Sequence, residues 1–213
     1  MAITISNVRL SYCNLFQPKP PMSDPQGTPK YSVTILVPKT NTAAKAQIDA
    51  AINAAIDAGV ASKWNGQRPP VPQICVHDGD GVRPSDGSPF GEECKGMWVF
   101  TASSTQAPFV VDGQIQPIID ATQVYSGMWA NVSVNFFAYN AGGKKGIGCG
   151  LNGVQKLRDD TPLGGARVTA QEAFQAFAVP APAPMPQPQG YAYPQQQPAA
   201  PQYNPSGMNV WGI

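Results

Sequence analysis

Between Tyr125 and Gln155 the chain reads YSGMWANVSVNFFAYNAGGKKGIGCGLNGVQ, and its apolar positions recur with period two. Val132, Val134 and Phe136 share one side, the pattern of a strand laid on a hydrophobic core. Trp129, Asn131, Ser133, Asn135, Phe137 and Tyr139 share the other. An ordinary solvent face carries charges and Thr. Here large rings alternate with uncharged amides and hydroxyls, which suits stacking against a flat partner.

The same alternation predicts further strands. Ile3–Phe16 carries Val8, Leu10 and Tyr12 in alternation, then runs into an irregular loop of Pro18, Pro20, Pro21, Asp24, Pro25 and Gly27. In KYSVTILVPK (30–39), Tyr31, Val33, Ile35 and Val37 alternate with Ser32 and Thr34, and Pro38 ends the run. The period then changes. From Thr42 to Ala58, Ile48, Ile52 and Ile56 recur every four residues opposite Lys45, Asp49, Asn53 and Asp57, with Gly59 at the expected C-cap, so one amphipathic helix is predicted. Residues 63–96 are dense in Gly, Pro and Asp and read as loop with a short strand near Ile74–His77. Strands follow at Met97–Ser103, Phe109–Val111, Met128–Asn140 and Lys145–Arg158. The fold class is mainly β with one inserted helix and extra hairpins. Five or so twisted strands fit a barrel of the OB type, and a β-sandwich fits the same strand count.

Composition divides the chain of 213 residues in two. No charged side chain follows Glu172, and nine prolines follow Ala178. Such a segment cannot bury enough apolar surface to offset its ordering entropy. The expected organisation is a folded domain over 1–178 and a disordered Pro/Gln/Tyr-rich tail over 179–213. The tip of that tail is apolar and aromatic, with Val210, Trp211 and Ile213 as a candidate partner-binding motif.

Charge changes this picture little. A formal net charge of +1 is modest for a nucleic-acid binder, yet Lys and Arg can still line a groove locally. Four widely spaced cysteines and a single histidine offer no zinc site, and neither a signal peptide nor an apolar run long enough to span a membrane is present. Asp78 and Asp80 in HDGDG, with Asp86 nearby, have the chemistry of a divalent-cation site, but Asp-Gly is first a turn signature. His77 lacks a sequence partner for base catalysis, and Ser103 and Ser104 lack a nucleophile elbow. GKKGIG does not match the phosphate-loop spacing. No enzymatic activity, cofactor or metal is expected.

If the flat partner is a nucleobase, the candidate rings are Trp64, Trp98, Phe100, Trp129, Phe137 and Tyr139. The candidate phosphate contacts are Lys30, Lys39, Arg68, Lys144 and Lys145, with Lys63, Arg83 and Lys95 as further loop cations. Lys144 and Lys145 stand out, because the hairpin AGGKKG follows the aromatic strand directly.

The order of these segments carries a resemblance. KYSVTILVPK, an Ala/Ile helix, HDGDG, TASSTQAPFVVD, YSGMWANVSVNFFAY, KGIGCGLNGVQ and a final LGG, over roughly residues 3–178, resemble a family of bacteriophage single-stranded-DNA-binding proteins. The resemblance implies an OB fold. It also implies a role in coating single-stranded DNA during replication and recombination with little sequence preference, in the cytoplasm of the infected bacterium. Phage or host replication and recombination proteins are the implied tail partners, a homo-oligomer is compatible, and no membrane association is implied. The alternative is a phage structural or interaction protein that uses the β-domain as a scaffold and the tail for recruitment. One departure stands: tails of this kind commonly end in acidic residues, whereas NPSGMNVWGI has none.

Overall fold

A computed structural model describes residues 2–21 and 24–164. The expected tail, including Val210, Trp211 and Ile213, lies outside the described residues. The elements are β1 (Ala2–Lys19), β2 (Lys30–Pro38), α1 (Thr42–Ser62), β3 (Gln73–Ile74), β4 (His77–Asp78), β5 (Met97–Ser104), β6 (Phe109–Val111), β7 (Trp129–Ala141) and β8 (Lys144–Arg158).

Five of the strands close into a barrel. β1 pairs antiparallel with β2 and with β7, β2 with β5, and β7 with β8. A parallel bridge from Ser103 to Gly150 joins β5 to β8 and completes the ring. Closure leaves no unpaired barrel edge, and the short strands add to its rim: β3 and β6 lie parallel to β8, and β4 antiparallel to β5. The inward residues follow the predicted alternation, with Val33, Ile35 and Val37 from β2 and Val132, Val134 and Phe136 from β7 all buried.

In β1 the alternation breaks. Asn7 and Tyr12 adopt positive φ of 54° and 49°, and the pairing register shifts between Ile5 and Val8 and between Ser11 and Asn14. Each irregularity inserts residues and re-aims the strand. Val8 and Leu10 therefore face the core as expected, while Tyr12 turns outward and is 62% exposed.

Asn41 caps α1 by accepting a hydrogen bond from the Ala44 N–H at 3.1 Å. Ile48, Ile52 and Ile56 are buried, each worth roughly 1.5–3 kcal/mol of transfer free energy. The helix does not stop at Gly59 but runs to Ser62. Gly59 is instead a contact point: a Cβ there would overlap the Ala138 Cβ and stand 3.2 Å from the Trp64 ring. Propensity rules read this glycine as a cap because they cannot see β7 pressing against the helix.

Candidate nucleic-acid interface

β7 and β8 are joined by Gly142 and Gly143, both at positive φ (56° and 76°), the two-residue hairpin turn that only glycine-like residues form without strain. This turn fixes the register of the whole ribbon, pairing Tyr139 with Gly146, Phe137 with Gly148 and Asn135 with Gly150. Along β8 the inward positions are Ile147, Cys149 and Leu151, which are buried in the barrel core. The outward positions between them are glycines, and the larger neighbours lie across them. A Cβ on Gly146 would stand 2.7 Å from the Tyr139 hydroxyl oxygen, one on Gly148 2.8 Å from the far end of the Phe137 ring, and one on Gly150 2.6 Å from Asn135 Oδ1. Further along, Asn152 Nδ2 donates to Ser133 Oγ at 3.4 Å and Asn131 Nδ2 to Gln155 Oε1 at 2.9 Å.

The outer surface of the ribbon is thus a strip of rings, amides and hydroxyls with no charge until its ends. Phe137 is 46% exposed. Tyr139 is half-buried, with its hydroxyl donating to Gln73 Oε1 at 3.1 Å. Lys144 and Lys145 project from the hairpin end, and among the described residues neither forms an ion pair. Beside this strip, β2 and β5 present short hydroxyls: Thr34 and Thr101 Oγ1 atoms lie 3.1 Å apart, and Asn14 Nδ2 donates to Ser32 Oγ.

The other predicted rings fall elsewhere. Trp64 does not sit in an open loop; it is 1% exposed, packed against Gly59, and its indole N–H donates to the Tyr139 carbonyl at 3.0 Å, which ties the helix end to β7. Phe100 is 2% exposed and packs on Phe136 inside the barrel, ring centroids 5.9 Å apart. Trp98 has the same inward parity as Phe100 and closes the barrel mouth beneath Lys45 and Lys39, whose ammonium groups lie 4.5 and 5.2 Å from its ring centre. Trp129 is on the outward side, but the Arg158 guanidinium stands 4.4 Å over its ring and its indole N–H donates to Asp160 at 2.7 Å. Phe137 and Tyr139 are therefore the predicted rings that share the open strip.

The cations also separate. Lys39 is clamped between Asp78 and Asp80 at 2.5 and 2.6 Å. Hydrogen bonds from Lys39, and then from the Asp80 and Gly96 amides respectively, hold the Asp78 and Asp80 carboxyls below the usual carboxylate range, and the same pair raises the Lys39 ammonium. The HDGDG segment is thus a lysine-pinned turn, and Lys39 has two of its three N–H donors engaged by carboxylates. Arg68 lies 3.8 Å from Asp57 at the exposed side of α1. Lys30 faces Lys19 across the β1–β2 pair. Burial pushes the Cys13 thiol up to about 12 and the Cys75 thiol up to about 11, so neither is a thiolate at neutral pH.

Two features of the interface are not among the residues predicted from sequence. The glycines at 146, 148 and 150 were legible as a period-two run beside an aromatic strand, the signature of side chains folding across a bare strand. Phe109, 56% exposed at the start of β6, was hidden in a three-residue strand.

With this geometry in place, the comparisons with known proteins converge. A family model described as Enterobacter phage Enc34, ssDNA-binding protein, matches residues 1–183. "Putative protein p50" of Acyrthosiphon pisum secondary endosymbiont phage 1 is 31% identical over 180 residues, covering 82% of this chain and 92% of that protein. The structure of the single-stranded DNA-binding protein from bacteriophage Enc34 in complex with ssDNA aligns with a TM-score of 0.64 at 30% identity, over 76% of this chain and 89% of that chain. The crystal structure of gp2.5, a single-stranded DNA binding protein encoded by bacteriophage T7, aligns with a TM-score of 0.53 at 15% identity over 75% of this chain and 93% of that one, a likeness of fold.

Proposed function

The chain belongs to the Enterobacter phage Enc34 ssDNA-binding protein family, and from that premise we propose that it coats single-stranded DNA, without enzymatic activity, in the cytoplasm of an infected bacterium. Bases stack on Phe137 and Tyr139, phosphates run past Lys144 and Lys145, and sequence preference is low because every base offers a π-face. The observation that carries this reading is the uncharged strip of β7 and β8, on which the Phe137 ring reaches across Gly148 with nearly half its surface open. Supporting it, a relative with 30% identity is described in complex with ssDNA.

In this reading the DNA-binding domain ends near residue 178; the family model matches residues 1–183. Residues 179–213 serve a separate role, recruiting replication or recombination proteins through Val210, Trp211 and Ile213. Lacking acidic residues, the segment cannot compete with DNA by charge mimicry. Deleting 179–213 leaves oligonucleotide affinity unchanged and removes partners from a pull-down; identical partner sets with and without the segment refute the recruiting role.

The function itself is tested by anisotropy of labelled oligo(dT) across a salt series, together with incubation in magnesium. Binding that weakens steeply with salt and leaves the DNA intact is expected. Magnesium-dependent cleavage that disappears in Asp78→Asn would replace this reading with a nuclease.

A further inference from the structure

Phe109 opens β6, and its ring lies across Gly153 of β8, where a Cβ would overlap it. It therefore repeats, farther along the same strand, the arrangement of Phe137 over Gly148. The exposed side of Phe109 borders a hollow of about 290 Å³ whose lining includes Phe16, Tyr31, Pro117 and Ile118. On β2, Lys30 precedes Tyr31 and is paired directly with Lys19 of β1. Like charges placed opposite one another destabilise an antiparallel pair. Among the described residues neither lysine has a carboxylate within ion-pair distance. Both side chains are exposed and open to an incoming anion.

We propose that this region is a second nucleotide subsite, with a base stacked on Phe109 beside the hollow and a backbone phosphate held between Lys19 and Lys30. The inference rests on the DNA-binding reading above and extends the DNA path along β8 beyond Phe137. From Gly148 to Gly153 the strand advances roughly 16 Å, a span that several nucleotides of a single strand cover, in keeping with sites of about 4–16 nucleotides per OB fold. An apolar protein segment is the other occupant the hollow would suit, but it gives no use to two lysines paired across β1 and β2.

The test uses the full chain and a labelled oligo(dT) of about 20 nucleotides. Phe109→Ala weakens binding by about 5- to 150-fold, the range for loss of one stacking ring. Phe109→Leu, which keeps the apolar cover, also weakens binding. Lys19→Gln with Lys30→Gln lowers the slope of log K against log salt by about 0.7, the share of one phosphate on a single strand. The thermal midpoint of that double variant without DNA holds or rises, because the repulsion is relieved. Wild-type affinity in both Phe109 variants, with Phe137→Ala still weakened, overturns the subsite and leaves the main platform standing. A lowered thermal midpoint in the lysine double variant assigns the pair to the fold and overturns its phosphate role. Failure of the wild-type protein to bind oligo(dT) overturns the DNA-binding reading itself.

Discussion

Gly148→Ala separates the position of the Phe137 ring from its presence. The added Cβ would stand 2.8 Å from Phe137 Cζ and 3.1 Å from Cε2. Carbon atoms sit comfortably at about 3.5–4.0 Å, so the ring must lift by roughly 0.7 Å or more at its outer end. It is free to do so, because 46% of it is exposed and the clash is with the far end of the side chain rather than with backbone. Gly148 is not at positive φ, so alanine fits the strand and removes about 0.5–1 kcal/mol of unfolded-state entropy. The two effects nearly offset in the folded protein, and the urea midpoint should move by less than the equivalent of about 1 kcal/mol. DNA affinity should fall, because a tilted ring no longer offers the flat face that stacking needs. Phe137→Ala sets the limit at roughly 1–3 kcal/mol, and Gly148→Ala should lie between it and the wild type. Anisotropy titrations of oligo(dT) at one salt concentration give all three affinities. Wild-type affinity in a folded Gly148→Ala protein, beside a weakened Phe137→Ala, would refute the claim that the bare strand positions the ring.

Three further perturbations follow from the same geometry. Lys144→Gln with Lys145→Gln should lower the salt slope of binding by about 0.7 for each phosphate no longer neutralised and leave the melting temperature in place, as salt titrations and calorimetry can check; an unchanged slope removes both lysines from the DNA path. Gly59→Ala drives a methyl group into Ala138 and toward Trp64 inside the core, and over-packing of this kind costs about 1–3 kcal/mol, read as a lower denaturation midpoint. The Asp78 and Asp80 carboxyls are held below their ordinary value of 3.8, so their contribution to stability is complete above that pH and is lost as pH falls through the lowered values. Lys39→Gln should flatten this acid-side part of a melting-temperature profile while leaving the salt slope of DNA binding unchanged; a reduced slope would place Lys39 on the DNA after all.

How far the sequence carried can be judged from single strands. β2 and β7 were legible because strict alternation leaves one assignment of faces, and Val33, Ile35, Val132 and Val134 all point inward. β1 was legible only in part, because the positive φ of Asn7 and Tyr12 resets the register in a way that no hydrophobic pattern encodes. The aromatic residues divided for a similar reason. Composition marks a ring as able to stack, but parity within the closed barrel decides exposure, and it sends Phe100 inside and Trp98 to the mouth. Trp64 follows the helix by two residues and reads as loop, yet the backbone turns there to hydrogen-bond with Gly59 and carries the indole into the core. Phe137, Tyr139, Lys144 and Lys145 were legible together because a single hairpin carries them, and a two-residue turn keeps sequence neighbours spatial neighbours. Lys19 and Lys30 meet across the β1–β2 pair, but Phe109 comes from a third strand laid on β8, and no sequence pattern relates it to them.

The most direct test of the platform is the affinity of Phe137→Ala/Tyr139→Ala for oligo(dT), measured across a salt series beside the wild type. Stacking releases no counterions, so the double variant should bind roughly ten-fold or more weaker at every salt concentration, on a line parallel to that of the wild type. A folded double variant with wild-type affinity, or one whose line changes slope while meeting the wild type at high salt, would contradict the account.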